Sequence, residues 1–179
     1  RDVAVTGVQT CALPIYSSLF KYNSQRYSFF NQILIARKFS DKLSLQASIS
    51  LTHQNSVNGF YTKNDSTGKE TFLEMFHDHL AASLSGKYKI SEGSAFIFDY
   101  NQPLTKHHIN NPAPSASFGF EMHTSGHSFQ IFFTNYFYLN PQRNNLFNQN
   151  SPLDYTKDDA GTKVSGGKYL LGFNITRLW

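Results

Sequence analysis

Residues 43–52 read Leu-Ser-Leu-Gln-Ala-Ser-Ile-Ser-Leu-Thr and carry the clearest structural signal of the chain. The odd positions, from Leu43 to Leu51, are all apolar, and the even positions are all Ser, Gln or Thr. Because successive side chains of a β-strand point to opposite faces, this alternation predicts a strand with one apolar face and one uncharged polar face.

Six further segments alternate in a similar way, and we expect them to be strands as well. Most of them place aromatic or aliphatic side chains opposite small or polar ones. The facing of the first segment stays open, because Ile33 and Ile35 share one face while the apolar Phe30 and Leu34 share the other. The six predicted strands are 27–39, 76–90, 94–102, 115–124, 128–139 and 167–179.

Tight and long connections alternate between the seven predicted strands. The tight connections have three or four residues and are rich in turn-forming types: 39–42, 91–93 and 124–127. The long connections have 17, 12 and 27 residues: 55–71, 103–114 and 140–166. In a meander, this alternation places the tight turns at one end of the sheet and the long loops at the other. That asymmetry predicts an all-β, antiparallel up-and-down transmembrane β-barrel.

The composition excludes several other classes of protein. Charged residues and aromatic residues each make up 16% of the 179 residues, whereas a soluble domain carries roughly 25% charged residues. No run approaches the roughly 18 apolar residues of a transmembrane helix, and the aromatic and β-branched content argues against disorder. The net charge of +4 is not clustered, so we expect no nucleic-acid partner.

A soluble β-barrel binding protein is an alternative fold, because its strands also alternate with period two. In such a protein the polar face points to water and carries many charges. Here the polar faces carry mostly Ser, Thr, Gln and Asn, and aromatic residues gather near strand ends, as in the interfacial girdles of membrane barrels. This pattern favours the membrane. The strand-end aromatics are Phe39, Tyr88, Tyr100, Phe137, Tyr169 and Trp179.

The beginning of the chain differs in character from the rest. Residues 5–15 read Val-Thr-Gly-Val-Gln-Thr-Cys-Ala-Leu-Pro-Ile, which equals the conceptual translation of a common sequencing-adapter strand. We therefore interpret residues 1–15 as a sequencing-adapter artefact that does not pack as an integral strand. Residues 16–179 are interpreted as the C-terminal part of a single β-barrel domain. Cys11, the single cysteine, lies in the excluded run.

The chain ends on an aromatic residue that follows apolar residues at alternate positions. Phe173, Ile175 and Trp179 resemble the C-terminal signal that the barrel-assembly machinery recognises, so we predict that machinery and outer-membrane lipid as partners. Bacterial barrels of this class have an even strand count. Seven strands therefore predict an incomplete barrel, an open sheet whose last strand does not pair with segment 27–39.

Three stretches of the sequence are also similar to a known family. They are Phe-Phe-Asn-Gln-Ile-Leu-Ile-Ala-Arg-Lys-Phe-Ser at 29–40, Gly-His-Ser-Phe-Gln-Ile-Phe-Phe-Thr-Asn at 126–135 and Phe-Asn-Ile-Thr-Arg at 173–177. They resemble an uncharacterised outer-membrane β-barrel family of the Bacteroidota, a domain of unknown function. The resemblance spans 25–179 and departs from the family pattern after Asn135. It implies a barrel in the cell outer membrane, of which this chain is a C-terminal fragment, and it implies no known activity.

The histidines are the candidates for metal chemistry, because imidazole ligates transition metals. His77 and His79 are two residues apart, so we expect them to share the lumen face of one strand. His53, His107 and His108 fall near the same, long-loop end. No paired-histidine zinc signature occurs, and the same residues suit the polar lining of a wet barrel mouth. We therefore predict no metal site and no cofactor.

Two function classes remain open at this stage. The first is a passive pore or transport barrel, porin-like, with a polar lumen and loops that gate it. The alternative is a structural or interaction barrel that binds a partner through its long loops. A membrane-embedded hydrolase would need an activated nucleophile, but no Gly-x-Ser-x-Gly motif occurs, so we predict no enzymatic activity and no catalytic residues.

Overall fold

The computed structural model describes residues 3–12, 21–63 and 68–177, and most of them are in β-strands. The strands in chain order are β1 (Val3–Ala12), β2 (Tyr27–Lys38), β3 (Leu43–Gln54), β4 (Gly59–Lys63), β5 (Glu70–Glu74), β6 (Asp78–Ser91), β7 (Ser94–Pro103), β8 (Ser115–His123), β9 (His127–Thr134), β10 (Tyr155–Thr156), β11 (Lys163–Val164) and β12 (Leu170–Arg177). Eight of them form one antiparallel sheet in the order β1-β2-β3-β6-β7-β8-β9-β12. The predicted antiparallel meander is confirmed.

The remaining elements lie in the long connections. β4 pairs with β5 and β10 pairs with β11, each pair forming a small two-stranded sheet. A short helix, α1 (Pro141–Phe147), follows β9, and one turn of 3-10 helix (Asn23–Arg26) precedes β2. Among the described residues, no helix has the length and apolar character needed to cross a membrane.

The two faces of the sheet differ as the alternation predicts. On β3, Ser50 and Thr52 are 4% and 1% exposed, whereas Ile49 and Leu51 are 45% and 43% exposed. We call the face that carries Ser50 and Thr52 the inner face, because loops cover part of it, and the opposite one the outer face. The outer face exposes a broad apolar surface, as a face towards lipid requires. Phe30 is buried on the inner face of β2, and Ile33 and Ile35 are exposed on its outer face, which settles the facing of that strand.

The tight turns lie together at one end of the sheet, as predicted. β2 is followed by a turn in which the Ser40 hydroxyl accepts from the backbone N–H of Leu43 at 3.0 Å. In the β8–β9 turn, the backbone N–H of His127 donates to the Thr124 hydroxyl at 3.1 Å. The strand register places these two turns and the β6–β7 turn at the same end of the sheet. We call the opposite end the long-loop end.

The sheet is open within the described part of the chain. β1 pairs with β2 on one side, and β12 pairs with β9 on one side. No ladder joins β12 to β2, since both edges of β2 are taken by β1 and β3. The predicted open sheet is confirmed.

The expectation that residues 1–15 do not pack as an integral strand is wrong. All ten residues of β1 pair with β2, from Val3 opposite Ala36 to Ala12 opposite Tyr27. The run is rich in Val and Thr, which favour strands, and the free edge of β2 offers unpaired backbone groups to it. The adapter origin of the run stays a prediction, which resequencing of the locus would check.

The predicted strand 128–139 also ends earlier than expected, at Thr134. Asn135, 2% exposed, turns the chain away from the sheet because its amide donates to the carbonyls of Pro114 and Asn150 at 2.7 and 2.9 Å. Phe137 and Leu139 continue the alternation in sequence, but they lie in the loop before α1, where both are exposed.

A small hydrophobic cluster holds the long loops together. Met75 follows β5, Ile109 lies between β7 and β8, and Leu146 belongs to α1. The three side chains are 3%, 0% and 2% exposed. Each long connection thus contributes one residue to this cluster, and the three loops form a single packed cap.

Candidate functional site

The inner face carries a belt of hydrogen-bonded polar side chains that crosses the sheet from β2 to β12. The Gln32 amide donates to Ser48 at 2.8 Å, and the Ser48 and Ser83 hydroxyls lie 2.5 Å apart. Ser85 donates to Asp99 at 2.6 Å on the neighbouring strand. The inner face therefore presents hydroxyl, amide and carboxylate groups to the space that a closed barrel would enclose.

Glu121 on β8 is the hub of this belt near the tight turns. Its carboxylate pairs with the Lys87 ammonium of β6 and accepts from the Gln130 amide at 2.6 Å. The His123 ring nitrogen lies 2.5 Å from the same carboxylate. The amide of Asn174 on β12 continues the belt by donating to Gln130 at 3.2 Å. Glu121 is thus paired with Lys87 and His123, whereas Asp99 accepts from the neutral groups of Ser85, Asn101 and Tyr136.

Asparagine side chains organise the cap at the long-loop end. An amide group donates and accepts at once, so it can replace a missing backbone partner in irregular chain. Asn111 accepts from the backbone N–H of His107 and donates to the His107 carbonyl, both at 2.7 Å. Asn144 does the same for Tyr138, at 3.1 and 2.7 Å. These bonds give the loops a defined structure in place of a strand ladder.

The cap also rests on the inner face of the sheet. The amide of Asn145 on α1 donates to the hydroxyl of Ser50 on β3 at 3.4 Å, and the amide of Asn148 donates to Ser115 of β8 at 3.2 Å. Both asparagines are 2% exposed. α1 therefore lies across the inner face at the long-loop end and narrows the opening there.

Two buried histidines form a hydrogen-bonded chain beneath the cap. The backbone N–H of Phe76 donates to His107 Nδ1 at 3.0 Å, so the proton of a neutral His107 resides on Nε2. That Nε2 lies 2.9 Å from His79 Nδ1 and donates to it. Burial, and secondarily the nearby His108, lowers the pKa of His107, which favours this neutral form. His79 Nε2 then carries a proton and has no hydrogen-bond partner among the described residues.

The expectation that His77 shares the lumen face with His79 is wrong. β6 begins at Asp78, so the alternation does not extend to His77, which is exposed. His77 stacks on His53 at a ring-centroid distance of 6.1 Å, and His53 Nδ1 lies 2.8 Å from Asp78 Oδ1. His108 lies apart from these and contacts Asp159 at 2.9 Å. In the described ranges, no group of three or more His, Cys, Asp or Glu residues is placed to hold a metal ion.

A cavity of about 470 Å³ opens at the long-loop end, between α1 and the adjacent ends of β2 and β3. We call it the mouth cavity. Arg26 and Arg143 line it, and no Asp or Glu does. The Arg143 guanidinium lies 4.5 Å from the centre of the Tyr138 ring. No sequence pattern predicts this cavity, since its residues come from three separate stretches of the chain, at strand ends, in irregular segments and in α1. They are Gln25, Arg26, Tyr27, Ser28, Gln54, Ser56, Asn58, Tyr138, Asn140, Gln142, Arg143 and Phe147.

The residues of the predicted C-terminal signal lie on the outer face of β12 as far as they are described. Phe173 and Ile175 are 73% and 60% exposed there. Trp179 lies outside the described residues. The pairing of this strand with β9 continues to Arg177, and recognition by the assembly machinery stays a prediction.

Comparison with known protein families gives one match. A family model described as a membrane bound beta barrel domain (DUF5777) covers residues 2–179. Neither the curated proteins nor the solved structures gave a match to the chain. The family description agrees with the antiparallel sheet and its apolar outer face, and the β-barrel fold class is confirmed.

Proposed function

The chain belongs to this family of membrane-bound β-barrel domains, and from that membership we propose that it is a porin-like conduit for small polar solutes. Its location is the outer membrane of a Gram-negative bacterium, in keeping with the Bacteroidota family that its sequence resembles. The proposal assigns it no enzymatic role. Outer-membrane lipid and the barrel-assembly machinery are its proposed partners, the latter through Phe173, Ile175 and Trp179.

The observation that carries the proposal is the polarity of the inner face. The hydroxyl, amide and carboxylate groups from Gln32 on β2 to Asn174 on β12 line the side away from lipid. A structural barrel can fill its interior with apolar side chains, whereas a conduit for hydrated solutes needs polar groups along its wall. Within the belt, Glu121 is ion-paired with Lys87 and Asp99 is hydrogen-bonded by neutral neighbours, so the wall favours no strong binding of a solute.

The packed cap makes the proposed conduit a gated one. The buried side chains of Met75, Ile109 and Leu146 tie three long loops together, and Asn145 ties α1 to the inner face of β3. Solute could pass only when α1 moves away from the sheet. Of the loops that gate the pore expected from the sequence, α1 is the part that would have to move.

A disulfide lock tests the gate directly. Asn145 and Ser50 touch at 3.4 Å, so the pair Ser50→Cys with Asn145→Cys, in a Cys11→Ala background, should cross-link α1 to β3. We expect planar-bilayer conductance to fall when the pair is oxidised and to return when it is reduced. The single variant Ser50→Cys is the matched control and should conduct under both conditions. No conductance from any of these proteins would contradict the conduit.

A surface-interaction barrel is the second candidate, and one observation favours it. The cap is a fixed surface, and Phe137, Leu139 and Leu153 are 61%, 104% and 74% exposed on the same β9–β12 connection. Exposed apolar side chains on a rigid platform are typical of binding surfaces. Absence of conductance, together with membrane retention after an alkaline wash and release by detergent, would favour this candidate. Release by the alkaline wash alone would favour a soluble protein.

A further inference from the structure

We propose that the mouth cavity binds an anionic sugar, through the carboxylate or phosphate group of that ligand. This inference rests on the proposed conduit, for which such a sugar would be the solute or a headgroup bound at its mouth. It concerns the cavity between the start of β2, the end of β3 and α1, with a volume of about 470 Å³.

The charge of the lining comes first. Two arginines, Arg26 and Arg143, line this volume, and no Asp or Glu does. Neither arginine has an ion-pair partner among the described residues. A guanidinium presents a planar fork of donors that matches carboxylate and phosphate oxygens. The lining is therefore complementary to an anion and unfavourable for a cation.

The hydrogen-bond donors of two lining residues also favour an anionic ligand. Arg26 and Gln142 line the cavity, and their Nε and Nε2 atoms are buried donors that have no acceptor in the described part of the chain. Gln142 is 3% exposed as a whole. Buried donors in folded proteins are nearly always paired, because an unpaired one loses its hydration without compensation. If the Arg26 and Gln142 side chains turn towards the cavity, a ligand rich in acceptor oxygens would pair with both donors and with Arg143.

The rest of the lining suits a sugar ring. Tyr27, Tyr138 and Phe147 supply aromatic surface, and Gln54 and Asn58 supply amide groups. Flat apolar faces and amides that both donate and accept match the apolar ring face and the hydroxyl groups of a sugar. The cavity volume lies within the roughly 300–1,000 Å³ range of small-molecule sites. Stacking on Tyr138 holds the guanidinium of Arg143 in a defined orientation.

Isothermal titration of the full chain, refolded in detergent micelles, tests the inference with three probes. Glucose 6-phosphate and glucuronate should bind, and glucose should bind at least tenfold more weakly. Arg143→Gln and Arg26→Gln should each weaken binding of both anions by about tenfold or more, because each removes a charge-assisted hydrogen bond. Lys163→Gln, which removes a cation far from the cavity in the β10–β11 hairpin, is the matched control and should bind normally.

Several outcomes would overturn the inference. They are no binding of either anion, equal binding of glucose, or the same loss of affinity in Lys163→Gln. Arg143 is exposed, so its variant keeps the test valid even where Arg26→Gln fails to fold. Gln142→Leu gives a second check that leaves the charge unchanged, and it should also weaken binding.

Two sources could supply the phosphorylated sugar, a free solute or a lipopolysaccharide headgroup. In nanodiscs that contain lipopolysaccharide, a bound headgroup would weaken the titration with glucose 6-phosphate relative to phospholipid nanodiscs. An unchanged affinity identifies the free solute, and either result supports the anionic-sugar chemistry. Conductance measured on the same preparation separates the proposals. Conductance without anion binding overturns only the proposed ligand site. Anion binding without conductance overturns only the proposed conduit.

Discussion

Replacing Leu146 by Ala should open the cap, and the structure sets the size of the effect. The side chain is 2% exposed and packs with Met75 and Ile109. Leu→Ala changes in buried positions cost about 2–5 kcal/mol, from lost burial and the cavity left behind. This cluster is small, and its neighbours Val57 and Phe147 are only partly buried, so they can relax into the space. We therefore expect about 2–3 kcal/mol, which is roughly a 30- to 150-fold shift towards the open cap.

Amide hydrogen exchange of the refolded protein measures this shift, because local opening exposes loop amides without unfolding the sheet. The amide of Asn148, which donates to the Asn144 carbonyl at 3.2 Å, reports on α1. Leu139→Ala is the matched control, since it is the same substitution in the same connection at a side chain that is 104% exposed. It should change exchange by less than about 0.5 kcal/mol. Equal effects of the two substitutions would refute the packed cap.

Three further predictions concern the inner face of the sheet, the cap and the outer face. Glu121→Gln leaves Lys87 without its carboxylate partner and should lower the free energy of unfolding in urea by about 1–3 kcal/mol; a change below about 0.5 kcal/mol would contradict its role as hub. Burial lowers the pKa of His107 in the folded cap, whereas the unfolded chain keeps a value near about 6.5. Protonation therefore favours the open loop, and cap protection should fall as the pH drops below about 6.5 and recover as it rises, with a smaller slope in His107→Gln. Ile49→Lys on the outer face of β3 should impair membrane insertion by about 2–4 kcal/mol, while Gln46→Lys on the inner face should insert normally; equal yields of folded protein would contradict the assignment of the faces.

The strands of the sheet were predictable because their alternation is a local property of the sequence. On β3 and β8, polar and apolar residues take turns, and the structure puts Ser50 and Ser115 inside and Ile49 and Phe118 outside. The alternation of tight and long connections then predicts the order of the strands in the meander. β1 differs, because the match of residues 5–15 to an adapter translation argues against a strand, whereas the Val-rich run has the propensity to form one.

The cap could not be predicted in the same way. Its core takes single apolar residues from three loops, and one apolar residue in a polar loop has no periodicity. Leu139 and Leu146 look alike in sequence, yet one is exposed and the other is buried, because α1 begins at Pro141 and turns Leu146 towards Met75. His77 shows the limit of this reasoning. The alternation of side chains between the two faces holds within β6, and it does not hold at His77, one residue before β6 begins.

The distribution of unpaired polar atoms links the fold to the proposed chemistry. In the described part of the chain, the buried side-chain atoms without partners belong to the long-loop half; they are on Arg26, Thr52, His79, Gln142, Asn145 and Tyr155. Near the tight turns, Glu121 and its partners satisfy one another. If the polar inner face served stability alone, unpaired groups would be disfavoured equally at both ends. Their location in the long-loop half instead puts the polar groups without partners at the end of the barrel where a solute would first meet the cap.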